Sequence, residues 1–175
     1  MLYVLRQIAS ILLLPFMVTV VVPYLYAGRE IAQGFAVELN PVRLVALAIG
    51  AAALVLGLTL FVTTVLHFAR IGRGTLAPWD PPRVLVVEGV YRHVRNPMIS
   101  GVLFILLGEA LVTGSRRVLT WFGLFFLIKL VYIALVEERV LARRFGERYR
   151  LYTENVPRWM PRRSAWTPPW VETAE

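Results

Sequence analysis

Cysteine is absent from the sequence. That excludes disulfides, thiolate nucleophiles and zinc–thiolate sites, and it removes the usual clue to redox compartment. Acidic residues are scarce: eleven Asp and Glu stand against nineteen Lys and Arg, for a formal charge of +8. Almost all of the basic residues are arginine, with Lys129 the one lysine, a usage that points to a GC-rich bacterial genome. Polar residues as a whole are too few for the outer shell of an ordinary soluble domain, since 58% of the 175 residues are hydrophobic and the mean hydropathy is +0.64. No basic face with interleaved aromatics stands apart from the apolar runs, so no nucleic acid partner is expected. The arginines flank those runs instead, where membrane lipids with anionic headgroups are the natural partners. There is no internal repeat, no expected metal site and no signal of oligomeric state.

The apolar runs predict an all-α, polytopic membrane protein with about four transmembrane helices and a cytoplasmic amphipathic C-terminal helix. The first run, Ile8 to Ala27, carries Pro15 and Pro23 and reads as a retained, kinked span rather than a signal peptide, because its basic start is only Arg6 and its length suits a span. Asn40-Pro41 opens the second, with Asn as cap and Pro at the first helical position. From Val42 to Ala69 it would extend about 42 Å, longer than a hydrocarbon core. Met98 to Thr113 is a short third run containing Glu109. Thr113-Gly114-Ser115 then forms a tight turn into the fourth run, Val118 to Val136, which contains Lys129. Helices joined by so short a turn lie antiparallel and adjacent.

Arginine placement predicts orientation. Arg70, Arg73, Arg83, Arg92 and Arg95 precede the third run, and Arg139, Arg143, Arg144, Arg148, Arg150, Arg158, Arg162 and Arg163 come after the fourth. Only Arg29, Arg43, Arg116 and Arg117 fall on the other side. Excess arginine marks the cytoplasmic face, which would put both termini in the cytoplasm of a bacterial inner membrane protein. The chain divides into three regions: residues 1–71 with two spans, residues 72–162 as the chemical half, and residues 163–175 as a frayed tail whose Trp166 and Trp170, with Trp159, could anchor at the headgroups. Within 72–88 the Gly- and Pro-rich start breaks any helix, and Leu85-Val86-Val87 suits a short extended piece.

Two polar clusters border the hairpin. The first is GVYRHVRNPMISG, residues 89–101. Alone, Tyr91, Arg92 and Arg95 would suit an ordinary interfacial belt. The second is EERVLARRFGERYRLYTENVPRWMP, residues 137–161, where Leu141, Phe145, Tyr149 and Tyr152 form one apolar helical stripe suited to a helix lying on lipid. Glu137 and Glu138 do not suit that picture, because adjacent carboxylates facing anionic lipid need a cation. The tight turn brings the start of the third helix beside the end of the fourth, so Arg95-Asn96-Pro97 and Glu137-Glu138 are expected to meet.

These two stretches resemble the isoprenylcysteine carboxyl methyltransferases and phospholipid N-methyltransferases, over roughly residues 72–162. That superfamily carries Arg-His-Pro-x-Tyr-x-Gly, here matched by Arg95, Pro97 and Gly101. Glu137, Glu138, Leu141, Phe145, Gly146, Tyr149 and Tyr152 match its second element, and Val156, Pro157, Arg158 and Pro161 its Val-Pro-Arg-x-x-Pro close. Asn96 replaces the usual histidine and Ile99 the usual tyrosine.

The resemblance implies an S-adenosylmethionine-dependent methyltransferase acting on a lipophilic or small acceptor: a prenylcysteine-like carboxylate, an amine lipid, a fatty acid or a small thiol. It implies Tyr91, Arg95, Asn96, Pro97, Met98, Gly101, Glu137, Glu138 and Tyr149 around the cofactor, with Glu138 and Arg158 as the residues nearest the chemistry. Carboxylates favour the sulfonium, while Arg95 and the helix start favour the cofactor's own carboxylate. Gly101 would let a bulky group approach the helix, and Arg158 would orient an anionic acceptor or anchor to lipid phosphate. Two alternatives stand beside this reading: a membrane sterol-type reductase using a reduced nicotinamide cofactor, and a non-catalytic lipid-binding homologue. Glu109 and Lys129 are left as a structural pair or as part of an acceptor cavity.

Overall fold

The computed structural model describes residues 12–34, 39–67 and 84–172. Arg70, Arg73 and Arg83, and the Gly- and Pro-rich part of 72–88, lie outside the described residues.

Two prolines shape the first helix. Its opening stretch, Leu12–Val21, is wound with five-residue spacing around Pro15 and passes into α1, Val22–Gly34. In such winding the Val18 carbonyl would look to residue 23 for its donor, and residue 23 is a proline without an N–H. The indole N–H of Trp121 donates to that carbonyl instead, at 3.0 Å. Helix α2, Pro41–His67, begins as expected, with the Asn40 side chain accepting from the Arg43 amide at 2.8 Å.

Helix α3 spans Pro97–Thr113 and packs antiparallel on α2 through glycines. Gly57 faces Gly101 and Gly50 faces Gly108. A Cβ at Gly101 would lie 2.9 Å from the Gly57 carbonyl oxygen and 3.0 Å from the Phe61 amide nitrogen. Only glycine permits backbones this close, which is how helices gain packing where lipid removes the hydrophobic drive.

At the far end of the hairpin Gly114 turns the chain with φ 67°, and Arg43 donates to the Leu111 carbonyl at 2.9 Å and to that of Val112. Ser115 caps α4, Arg116–Tyr132, and donates to Glu30 at 2.7 Å, while Glu30 pairs with Arg117 at 3.1 Å. These contacts satisfy the free ends of both helices. The hairpin core is Val102, Leu106 and Phe125, with Phe61, Trp121 and Phe122 packed against it.

The fourth helix does not stop at Val136. A single wide turn, Ile133–Glu137, joins α4 to α5, Glu138–Phe145, as one 30-residue helix, Arg116–Phe145. This helix and the 27-residue α2 are long and apolar enough to cross a membrane, whereas α3 has 17 residues.

The expected single amphipathic C-terminal helix is two short ones, because Gly146, with φ 53° and ψ −128°, breaks it between α5 and α6, Glu147–Asn155. Its apolar stripe also turns inward: Tyr149 and Tyr152 form a core with Val87 and Val156, against which Leu85, Leu141, Phe145, Trp166 and Trp170 pack. A stripe on the lipid surface is therefore replaced by a stripe on the chain's own 85–87 segment, which forms no strand pairing among the described residues.

The tail is not frayed up to Trp170. Trp166 and Arg92 exchange backbone and side-chain hydrogen bonds, Arg162 binds the His93 carbonyl, and the Trp166 ring meets Tyr152 at a tilt and Trp170 edge-on, at 6.0 and 5.7 Å between ring centroids. The last short helix, α7, is Pro169–Glu172.

Candidate functional site

The hairpin brings the two polar clusters together as topology requires. Arg95 Nη1 lies 2.9 Å from Glu138 Oε1, across 43 residues of sequence. Arg158 completes the arrangement with a two-pronged contact, Nε to Oε1 at 2.8 Å and Nη2 to Oε2 at 2.7 Å. Charge-assisted, bidentate pairs of this kind fix geometry as well as adding energy. Both oxygens of Glu138 are thus committed to arginines, and the Arg158 proton is held more tightly by its bond to Glu138.

The wide turn Ile133–Glu137 contributes to this placement. One extra residue rotates the remainder of the helix by about 100° relative to an unbroken α-helix, and Glu138 is the first residue after it. The Val156–Pro161 segment is held alongside by the Arg95 amide, which donates to the Pro157 carbonyl at 2.9 Å, and by the Asn96 side chain, which donates to the Arg158 carbonyl at 3.3 Å. Asn96, at the position usually histidine, thus ties the first cluster to the Val-Pro-Arg close.

Next to the triad is an open cavity of about 690 Å³, lined by Arg95, Ala134, Glu138, Arg139, Gly146, Tyr149 and Arg150 among others. Its size lies within the roughly 300–1,000 Å³ of small-molecule and cofactor sites. Burial, followed by the charge of Glu138, pushes the Tyr149 hydroxyl up to about 12, and Arg95 lies within its hydrogen-bonding reach. Tyr152 donates to the Tyr91 carbonyl at 2.8 Å, and burial holds both phenols protonated well above neutral pH. Arg95 retains a buried Nε with no partner among the described residues.

Of the residues expected around a cofactor, Arg95, Glu138 and Tyr149 line the cavity. Asn96 and Tyr91 stand behind them through the contacts just given. Pro97 is fully buried and Met98 half-buried in the first turn of α3. Gly101 is turned to α2, where its missing side chain serves helix packing, and it does not line the cavity. Glu137 is not among the cavity-lining residues and bears on Tyr91 and Lys129 instead. Ile99 is buried.

Sequence reading missed the cavity contributions of Arg139, Gly146 and Arg150. The signal for Gly146 was present in the Phe-Gly pair, since a glycine inside a helical pattern marks a break. Glu109 and Lys129 form no ion pair. Lys129 lies over Phe125 and Tyr132, and Glu109 keeps one buried oxygen without a partner among the described residues.

An all-helical membrane protein with a charged, tyrosine-backed cavity at the end of a helical hairpin is the class this architecture defines. The chain belongs to the phospholipid methyltransferase family, whose sequence pattern matches residues 45–148. The match takes in most of α2, the hairpin and the Glu137-Glu138 helix, and it stops before the Val156–Pro161 close. No curated protein and no solved structure matches the chain.

Proposed function

We propose that the protein is an integral membrane methyltransferase using S-adenosylmethionine, with its cofactor in the cavity beside Arg95, Glu138 and Tyr149. The observation that carries the reading is the Glu138 triad: a family member presents an arginine, aligned by two other charged residues, at the edge of a cofactor-sized cavity. The residues fit the cofactor. Arg95 Nε is a buried donor in need of an acceptor, as the cofactor's own carboxylate would supply.

S-adenosylmethionine, when bound, supplies a methyl group activated on a sulfonium. Glu138 holds Arg95 and Arg158 in fixed directions, so that binding does not first have to order two flexible side chains. Arg95 and Tyr149 supply donors. Tyr91, Tyr152 and the Trp166 ring exclude water behind them, and a dry wall favours dispersal of sulfonium charge. With both oxygens of Glu138 engaged, its part is to position the arginines, and Arg158 contributes to the same alignment rather than standing ready for an anionic acceptor.

The chain crosses the membrane four times with both termini in the cytoplasm, as its arginine distribution favours. The acceptor enters laterally between helices and the cofactor enters from the cytoplasm. Family membership favours transfer of a methyl group over nicotinamide-dependent reduction.

Thermal unfolding of the detergent-purified protein tests this, because a ligand that binds the folded state must stabilise it. S-adenosylmethionine and its demethylated product should each raise the midpoint by several degrees, and reduced nicotinamide dinucleotides should not. A shift with the dinucleotides alone would replace the methyltransferase with a reductase.

A further inference from the structure

Two helices of this chain begin with the same dipeptide, and their asparagines behave differently. Asn40-Pro41 opens α2, and the Asn40 side chain accepts from the Arg43 amide at 2.8 Å, an ordinary helix cap. Asn96-Pro97 opens α3, yet the Asn96 side chain makes no cap bond to that helix. Its amide instead donates to the Arg158 carbonyl at 3.3 Å, across 62 residues of sequence. Asparagine is among the strongest capping residues, so a side chain withdrawn from that place is engaged for another purpose.

What it engages is a segment with little else to hold it. Residues 157–161 include Pro157 and Pro161 and belong to no helix. Among the described residues their backbone forms hydrogen bonds only with the Arg95 amide, at the Pro157 carbonyl, and with Asn96, at the Arg158 carbonyl. The Arg158 side chain then runs to both oxygens of Glu138, and Glu138 returns to Arg95 Nη1. Adjacent residues 95 and 96 thus grip adjacent residues 157 and 158, and the ring closes through Glu138. One backbone bond would leave the chain free to swivel about it, whereas the second fixes the direction in which Arg158 departs. A two-pronged fork needs that direction, because both prongs must meet one carboxylate at once. Asn96 itself is half-buried and does not line the cavity.

We propose that Asn96 is a positioning residue: its N–H holds the Arg158 backbone so that the guanidinium fork seats on Glu138, and it acts on the cofactor site only through that fork. The inference rests on the methyltransferase reading for what the site binds, and on the hydrogen-bond geometry alone for the latch. Histidine, usual at this position in the superfamily, carries a ring N–H and can supply the same donor. Serine, an equally good cap, is too short to reach the carbonyl.

Trypsin reads the latch directly. It must take the Arg158 side chain into its own specificity pocket, so it cuts the 158–159 bond only when the fork has left Glu138. In the detergent-purified protein, Asn96→Ser should speed that cut at least about fivefold, the factor that loss of one hydrogen bond allows, with the product read by mass spectrometry at low conversion. Its unfolding midpoint should stay near that of wild type, since serine can cap the helix that asparagine leaves open. Asn96→His should return cleavage toward the wild-type rate, and Asn40→Ser, at the cap of α2, should leave it unchanged. Asn96→Ser should also weaken S-adenosylmethionine binding by roughly threefold to tenfold, and should add little to Arg158→Gln, because the two changes break one interaction.

Unchanged cleavage in Asn96→Ser, or cleavage that Asn96→His fails to slow, overturns the proposal, as does a loss of affinity fully additive with that of Arg158→Gln. A lowered midpoint with every tryptic site quickened alike assigns Asn96 to the fold and overturns it too. If Asn96→Ser does not fold, Asn96→Asp takes its place, keeping the shape and favouring a helix start while lacking the N–H. Faster cleavage in Asn96→Ser, beside a wild type that ignores S-adenosylmethionine, strikes the methyltransferase reading and leaves Asn96 as the latch of Arg158.

Discussion

Replacing Glu138 by glutamine removes one charge from the point where two arginines converge. The carboxylate accepts three charge-assisted hydrogen bonds and its side chain is 19% exposed, with Arg95 at 13% and Arg158 at 33%. Glutamine keeps one acceptor oxygen, so at least one bond of the Arg158 fork is lost and its amide points N–H at a guanidinium. Breaking a buried pair by removing one partner costs about 3–5 kcal/mol, and charged hydrogen bonds contribute about 1.5–3 kcal/mol each. The partial exposure of Arg158 lowers the expectation to about 2–4 kcal/mol. For a chain of this length that corresponds to a fall of roughly 5–15 °C in unfolding midpoint.

Scanning fluorimetry in detergent reads it, with Glu154→Gln as the control. Glu154 pairs with Arg150 on the exposed face of α6, and such solvent-screened surface pairs add little to stability. Affinity for S-adenosylmethionine should fall at least about tenfold in Glu138→Gln and stay near wild type in Glu154→Gln. Adding Arg158→Gln to Glu138→Gln should cost less than the sum of the single changes, because the partners share one interaction. Equal midpoints for the two glutamine variants, or strictly additive losses at 138 and 158, would refute the triad's role.

The packing and the phenols carry further predictions. Gly101→Ala drives a Cβ into the Gly57 carbonyl and Phe61 amide and should destabilise by about 1–3 kcal/mol. Gly123→Ala meets nothing within 4 Å and should stabilise by up to about 1 kcal/mol through helix propensity; reversed signs in thermal unfolding would contradict the described α2–α3 contact. Tyr149 supplies a pH dependence. Its folded value of about 12 lies above the ordinary 10.0, so the unfolded chain ionises first. The stabilising difference is complete below pH 10 and is lost as pH rises toward 12, with a slope of up to about 1.4 kcal/mol per unit. Tyr152 is raised in the same direction. Tyr149→Phe should flatten the decline between those values, and an unchanged decline would show that the phenol is not held by burial.

The sequence made the meeting of Arg95 with Glu138 legible, because a three-residue turn between apolar runs leaves antiparallel neighbours no other register. The α2–α3 contact was written there too, as glycines seven apart at 50 and 57 and again at 101 and 108, but spacing alone does not say which helices pair. The wide turn at Ile133–Glu137 left no signal, since nothing in its residues demands an extra amino acid per turn, and it is this turn that decides where Glu138 points. The stripe from Leu141 to Tyr152 was correct as a period and mistaken as a partner. A helical pattern shows that one face must be covered, and Leu85, Val87 and Trp166 cover it in place of lipid. Arg158 was recognised from its motif, but a lone arginine in a motif does not reveal that a carboxylate twenty residues earlier occupies its fork.

The central claim is that Arg95 holds the methyl donor in a membrane methyltransferase. Transfer of labelled methyl from S-adenosylmethionine into the solvent-extractable fraction of proteoliposomes tests it most directly, with wild type and Arg95→Gln compared at equal folded protein. Wild type should transfer the label, and Arg95→Gln should lose at least about a hundredfold of that rate. Transfer that survives Arg95→Gln undiminished, or a wild type that binds the cofactor yet passes no methyl group to any lipid supplied, would contradict the claim.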